Sequence, residues 1–237
     1  MLPSKNVCEK SVADPSIITI DGPSGVGKSS VSREVAAALG YSYLDTGAMY
    51  RAVAVFAHDM GAADTDSEAV ARILPDLRLT LQPGEDGATR VLVNGQDVTD
   101  RLRSPEMSLA SSRVSALAPV RAELVAMQRR IGAAGRIVAE GRDMGTVVFP
   151  DAPHKFFLDA KAEIRAHRRA LQLQAMGQRV DEAEILRQSI QRDRQDSERQ
   201  LGKLQPAATA VIIDTSDKTK AEVVRLILDR VQVAGDR

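Results

Sequence analysis

The chain has 237 residues, 43% hydrophobic and 27% charged, which suits one soluble globular domain carrying insertions and gives ample material for a core. Lysine plus arginine equal aspartate plus glutamate at 32 each, so no global field draws the chain to nucleic acid or an anionic membrane. Three Tyr, four Phe and no Trp disfavour a base-stacking platform, and the single cysteine, Cys8, excludes an internal disulfide and fits a reducing cytoplasm. No apolar run reaches the roughly eighteen residues of a membrane span.

In chain order, residues 1–16 mix Pro3, Lys5, Glu9, Lys10 and Asp14 without the apolar region of a signal peptide, and are expected to form a flexible extension. Ile17, Ile18 and Ile20 predict a buried parallel strand. The stretch Gly22-Pro23-Ser24-Gly25-Val26-Gly27-Lys28-Ser29 then fits G-x-x-x-x-G-K-[ST] at every position, Ser30 follows, and Val31 to Leu39 reads as a helix stopped by Gly40. Strand, loop and helix together identify a phosphate-binding loop. Glycines let backbone N–H groups approach phosphate, and the helix start adds unpaired donors and a positive dipole end. Lys28 is placed to reach the β- and γ-phosphates and Ser29 to ligate Mg²⁺, so the chain is expected to bind a nucleoside triphosphate.

Tyr41 to Leu44 predicts a short strand ending at Asp45. Thr46 is the expected cap of a helix from Gly47 to Met60, with Met49, Val53, Phe56 and Met60 at helical spacing and Gly61 as its stop. Arg51 near its start either faces solvent or points back at the nucleotide. From Leu77 the texture changes: an alternating run to Leu81, a turn cluster from Pro83 to Gly87, a second run from Thr89 to Val93, and then Asn94-Gly95, a hairpin signal. Residues 77–103 are read as a small inserted antiparallel subdomain. Helical patterning from Ser104 to Gly132, with a break near Pro119, carries Ser112 and Arg121, for which a surface role is the default. Further strands are expected at 136–139, 154–158 and 210–213, and a last helix near 220–231 presents Val223, Val224, Ile227 and Val231 to the core. This alternation predicts a three-layer α/β fold, a parallel sheet with helices on both faces and ligands at the strands' carboxyl ends. The core is assigned to 17–76, 104–160 and 204–237.

Residues 161–203 are very polar and helical in period, with a break at Met176-Gly177. Arg165, Arg168 and Arg169 share one face, as do Arg192, Asp196 and Arg199. Such a stretch can be a solvated hairpin laced by pairs such as Glu184–Gln188 and Arg192–Asp196. Beside a phosphate loop it reads better as a helical lid, because phosphoryl transfer needs positive charge over the γ-phosphate and arginine clamps phosphate oxygens bidentately.

A phosphate loop, an inserted subdomain and an arginine lid describe a small-molecule or nucleotide kinase. Four stretches carry a closer resemblance: Ile18 to Gly25, Leu44-Asp-Thr-Gly-Ala-Met-Tyr-Arg51, Gly141-Arg-Asp-Met-Gly-Thr-Val-Val-Phe-Pro150 and Arg165-Ala-His-Arg-Arg169. The chain from about residue 17 onward resembles the bacterial cytidylate kinases. The resemblance implies phosphorylation of CMP and dCMP by ATP with Mg²⁺, in an enzyme expected to be a monomer. It places Arg51, Arg142 and Arg199 on the acceptor's phosphate, with Thr46 at the same site. It places Ser112, Arg121 and Asp143 at the cytosine edge, and Arg192 and Asp196 at the sugar. Arg165 and Arg169 take the part of lid arginines beside the catalytic Lys28, Arg142 and Asp143. A carboxylate suits the amino group that distinguishes cytosine from uracil. The acceptor phosphate is already anionic, so alignment and charge neutralisation suffice without a strong base. Two positions depart from the pattern: Glu140 stands where an aspartate is expected, and Gln195 where an arginine is often seen.

Other readings are a kinase for UMP or shikimate, a slowly cycling nucleotide-dependent binding module, and nucleic-acid binding through the arginine arm. The last would show steep salt dependence.

Overall fold

Short β-branched runs separated by amphipathic segments leave the chain one economical arrangement, with strands stacked in parallel and helices covering both faces. A computed structural model describes residues 17–84, 89–175 and 177–235. The expected extension 1–16 with Cys8, residues 85–88 of the turn cluster, and Met176 at the helix break lie outside the described residues.

The strands are β1 (Ile17–Asp21), β2 (Ser42–Asp45), β3 (Leu79–Pro83), β4 (Thr89–Val93), β5 (Gln96–Asp97), β6 (Ile137–Gly141), β7 (His154–Asp159) and β8 (Val211–Asp214). The helices are α1 (Lys28–Leu39), α2 (Thr46–Asp59), α3 (Ser67–Ile73), α4 (Pro105–Val114), α5 (Ala118–Gly132), α6 (Ala162–Ala175), α7 (Glu182–Glu198) and α8 (Lys220–Gly235). Five strands form a parallel sheet in the order β2-β6-β1-β7-β8. In register, Ile20 lies beside Glu140 on one side and Phe156 on the other, and Asp45 lies beside Glu140. The carboxyl ends of β1, β2 and β6 therefore open onto one edge, where the phosphate loop begins.

Period-two alternation divides the core. Ile18, Ile20, Val138, Phe156 and Leu158 face α1 and α8, meeting Val35, Val223, Val224, Ile227 and Val231. Ile137 and Ala139 face the other way, toward Met49, Val53, Val120 and Leu124 of α2 and α5. A side chain buried as fully as Ile227 stabilises the fold by about 1.5–3 kcal/mol.

The inserted segment forms a three-stranded antiparallel sheet, β3-β4-β5, and buries Val91, Val93 and Val98 against the α2 side of the core. Asn94 and Gly95 both take positive φ (51° and 82°), the two-residue hairpin turn that the Asn-Gly signal predicts. Exposed ion pairs lie along this side, Arg90–Asp97 within the sheet and two that tie it and α4 to the core. Arg101 grips Asp59 at the end of α2 with two hydrogen bonds of 2.8 and 2.6 Å, and Arg113 of α4 grips Asp64 at 2.8 and 2.5 Å.

Several local expectations are corrected. The cap of α2 is Asp45, whose carboxylate accepts from Ala48 N–H at 2.8 Å, while Thr46 is inside the helix and donates to the Glu140 carbonyl at 2.6 Å. Met60, placed on the apolar face by spacing, is exposed because the helix ends at Asp59. The break near Pro119 falls just before α5, and the proline sits in the first turn, where no N–H is lost. Strand β6 runs on through Glu140 and Gly141, which carries that carboxylate to the sheet's edge.

Candidate active site

At the carboxyl ends of β1, β2 and β6 a cleft of about 960 Å³ opens between the core, α4, α5 and the two arm helices α6 and α7. One side of it is the phosphate loop. Ser24, Gly25, Gly27, Lys28, Ser29 and Ser30 line the cleft. Gly22, Pro23 and Val26 do not: Val26 packs in the core, and a side chain at Gly22 would overlap the Leu158 carbonyl. Gly25 (φ 77°) and Gly27 (φ 98°) supply the left-handed backbone that turns amides inward. Lys28 is buried and donates to the Pro23 carbonyl at 2.6 Å. Burial, with Arg142 nearby, pulls its ammonium well below the usual lysine range.

Behind the lysine stand three acids. Asp21 accepts from the N–H groups of Met144 (2.9 Å) and Gly145 (2.8 Å), tying β1 to the tight turn Met144–Val148, and burial pushes its pKa up to about 6 despite those bonds. Glu140 is buried and raised by burial and by Asp45, with Lys28 opposing. The Tyr43 hydroxyl donates to its Oε1, and its Oε2 has no hydrogen-bond partner. The phenol itself is pushed up by burial and by Glu140. Asp45, the third, caps α2 and accepts from Arg51 at 3.3 Å.

The opposite side is made of paired side chains. Arg121 of α5 and Asp143, after β6, form a buried ion pair. Arg121 also reaches the Tyr50 hydroxyl at 3.4 Å and the Ser115 carbonyl at 3.5 Å. Asp196 of α7, 1% exposed, accepts from Arg142 Nε at 2.9 Å and from Arg199. Arg199 donates to the Ser112 hydroxyl at 2.7 Å and its carbonyl at 3.1 Å. Burial drives Asp196 up, but Arg142, Arg199 and Arg192 outweigh it and leave the carboxyl below its usual range. Ser112 and Arg121 are both buried, which corrects the surface default for each.

The arm arginines divide their tasks. Arg165 is buried, donates to the Ala160 and Ser24 carbonyls at 2.9 and 3.0 Å, and pairs with Asp193 at 2.6 Å. Arg168 holds the Thr215 carbonyl at 2.6 Å beyond β8. Arg169 meets Gln172 at 2.8 Å, and burial with neighbouring Arg51 lowers its pKa. Arg192 does not hydrogen-bond Asp196 as the helix spacing suggests. It reaches the Ser24 hydroxyl at 3.4 Å, leaves Nε buried without a partner, and is pushed down to about 10 by burial and Arg142. The Glu184–Gln188 pair forms as expected, at 2.8 Å. Among the described residues, Lys28, Arg33, Arg168, Arg169 and Arg192 line the cleft with no carboxylate in salt-bridge contact.

The cleft thus gathers Thr46, Arg51, Ser112, Arg121, Arg142, Asp143, Arg165, Arg169, Arg192, Asp196 and Arg199 around the loop. Sequence reasoning missed Tyr43, Tyr50, Asp193, Ser189, whose hydroxyl accepts from Arg165 at 3.3 Å, and Gly202, which lines the cleft beside Arg121. Tyr50 stands next to Arg51 in a stretch already singled out, whereas the others carry no local signal.

The cytidylate kinase family model matches residues 18–233. A cytidylate kinase from a Geobacter species is 48% identical over 212 residues, covering 89% of this chain and 90% of that protein. A cytidylate kinase from Methylococcus capsulatus is 45% identical, covering 91% of this chain and 96% of that protein. A bifunctional pantoate ligase/cytidylate kinase from a Synechococcus species is 50% identical over 225 residues, which span 92% of this chain and 42% of the larger protein. With matches that run from the first core strand into the last helix, the chain belongs to the cytidylate kinase family.

Proposed function

We propose that the protein transfers the γ-phosphoryl group of ATP to the phosphate of CMP or dCMP, giving ADP and the corresponding nucleoside diphosphate. The observation that carries this reading is one cleft with a phosphate loop on one wall and the buried Arg121–Asp143 pair on the other. The loop amides and Lys28 hold the donor's phosphates, with the Lys28 ammonium exchanging the Pro23 carbonyl for phosphate oxygen. Arg51, Arg142 and Arg199 bind the acceptor's phosphate, with Thr46 alongside. Arg192 and Asp196 meet the sugar. Ser112, Arg121 and Asp143 read the base, Asp143 accepting from the exocyclic amine that uracil lacks.

Lys28 and Arg169, neither in salt-bridge contact with a carboxylate, are assigned to the path of the transferred group. They are desolvated in advance and so gain most when phosphate arrives, which is electrostatic preorganisation. Arg165 acts from behind, fixing the Ser24 carbonyl and so the shape of the loop. The residues also fit Mg²⁺. Ser29 stands beside Glu140, whose buried Oε2 is unpartnered, and among the described residues no cluster of three or more His, Cys, Asp or Glu side chains exists to make a protein-only cage. A hard cation held by a hydroxyl, one carboxylate, water and substrate phosphates matches that sparse set. When bound, Mg²⁺ neutralises charge on the transferring phosphoryl group. No helix among the described residues is long and apolar enough to cross a membrane.

An ADP-release assay with ATP and Mg²⁺, offering CMP, dCMP, UMP, AMP and GMP in parallel, tests the proposal. Fast turnover on CMP and dCMP with UMP far behind is expected. Equal rates on CMP and UMP, or turnover on neither cytidine nucleotide, would overturn it.

A further inference from the structure

Arg121 is the most constrained side chain of the acceptor wall. Asp143 holds one terminal nitrogen, Tyr50 and Ser115 share the other, and the residue is 7% exposed. The backbone of Gly202, in the segment that follows α7, covers it. Gly202 is buried at φ 65°, and a Cβ built there would overlap the Arg121 guanidinium at both terminal nitrogens and the central carbon. Elsewhere in the chain, tight glycines meet different neighbours: Gly22 lies on the Leu158 backbone, Gly132 on the Phe149 ring and Gly141 on Met144 and Thr46.

The covering segment is fixed on both sides of Gly202. Arg199 is bound to Ser112 and Asp196, and the Leu204 N–H donates to the Asp196 carbonyl at 2.8 Å. The same aspartate thus holds Arg142 through its carboxylate and the covering segment through its carbonyl. The atoms that a side chain at 202 would displace belong to the far end of a flexible arginine, not to backbone or a packed ring. Folding can absorb that displacement by moving the guanidinium. The pairing with Asp143 cannot, because a bidentate or short contact is lost within a shift of an ångström or so.

We propose that Gly202 is a positioning residue for acceptor-base recognition: its bare backbone is the stop against which the Arg121 guanidinium rests, so docking of the segment after α7 completes the base pocket. This rests on the assignment of Arg121 and Asp143 as the base-reading pair. It makes the arm more than a source of positive charge. The same segment that brings Arg199 to the acceptor's phosphate also sets the geometry that distinguishes one pyrimidine from another, so base recognition and arm docking become one event.

The test compares Gly202→Ala, Gly202→Asn, Arg121→Ala, Asp143→Ala and the Gly202→Ala/Arg121→Ala double variant. The readouts are kcat and KM for CMP and UMP, CMP affinity by calorimetry, and thermal unfolding. In Gly202→Ala the KM for CMP is expected to rise about ten-fold and the preference for CMP over UMP to fall by a similar factor, with the melting temperature lowered by no more than in Asp143→Ala. Gly202→Asn separates overlap from backbone strain. Asparagine tolerates positive φ, so it would be milder than alanine if strain were the cause and at least as harmful if overlap were. In the Arg121→Ala background, Gly202→Ala should change CMP affinity by less than about two-fold, because nothing remains to be displaced. An undiminished Gly202→Ala effect in that background, or an equal loss for CMP and UMP, would overturn the inference while leaving the base-reading pair standing. If Arg121→Ala and Asp143→Ala leave the CMP preference intact, the assignment of the pair falls, and the role of Gly202 falls with it.

Discussion

In the proposed function the two walls of the cleft hold phosphate and charge in place by opposite means. The donor wall is one contiguous run from β1 through the loop into α1, and its binding groups are backbone amides plus a lysine. The acceptor wall draws on β2, α2, α4, α5, the turn after β6, α7 and the segment beyond, and its binding groups are side chains that hold one another. There the cations are already matched, Arg121 by Asp143 and Arg142 with Arg199 by Asp196. On the donor side Lys28 is buried with no carboxylate in salt-bridge contact. A site made of backbone is inexpensive to encode and indifferent to what base the phosphate carries. A site made of paired side chains costs desolvation and many coordinated positions, and it provides discrimination.

The contrast can be broken most severely at Lys28. Lys28→Ala should lower kcat/KM by about 10²–10³-fold while CMP binding measured by calorimetry stays near the parent value. Loss of CMP binding to the same degree would show that the walls are not separable. Asp143→Ala attacks the other wall. It should weaken CMP binding by about ten- to a hundred-fold, erase the preference over UMP, and destabilise the fold by about 3–5 kcal/mol, because Arg121 is left buried and unpaired. An unchanged unfolding midpoint in urea would contradict the buried-pair account.

Asp21 joins the walls, and its pH dependence sharpens the comparison. Its pKa is about 6 in the folded chain against 3.8 for an exposed aspartate. The folded state therefore binds this proton more tightly, and the stability it contributes is full below about pH 4 and lost as pH rises through 6, up to ~3 kcal/mol. Asp21→Asn mimics the protonated form. Its stability relative to the parent should rise between pH 4 and 6 and level off above, as read by urea unfolding at each pH. A pH-independent difference would remove Asp21 from the ledger.

What could be read from sequence follows the same divide. The phosphate loop, its flanking strand and helix, the five parallel strands, the Asn94-Gly95 hairpin and the α8 core face all depend on local rules of spacing and backbone preference. The acceptor wall was reached only through resemblance to a family, because residue types such as Ser112 and Arg121 on a helix carry no signal of burial. Periodicity put them on a helix and left them at the surface, and only the packing of α4, α5 and α7 against one another encloses them. Where local rules failed, a neighbour had claimed the residue: Thr46 gave up the cap to Asp45 because the Glu140 carbonyl took its hydroxyl, and Arg192 is drawn to the loop rather than to Asp196. Tyr43 is the partner that pins the longer arm of Glu140, a pairing no spacing rule foretells.

The two exposed clamps, Arg101 on Asp59 and Arg113 on Asp64, moor the inserted sheet and α4 to the far end of α2. Mooring lines in water slacken with salt, whereas pairs sealed in the cleft do not: the screening length shrinks from about 10 Å at 0.1 M to 3 Å at 1 M. Ionic strength is therefore a dial that addresses one part of the molecule. Turning it up should quicken amide exchange in β4 and β5 by a few-fold, each exposed pair being worth about 1 kcal/mol or less, while exchange around Asp143 stays flat. The insert would then act as an outrigger, free to ride with α2 in dilute buffer and loosened in brine, with the catalytic hull beneath it undisturbed.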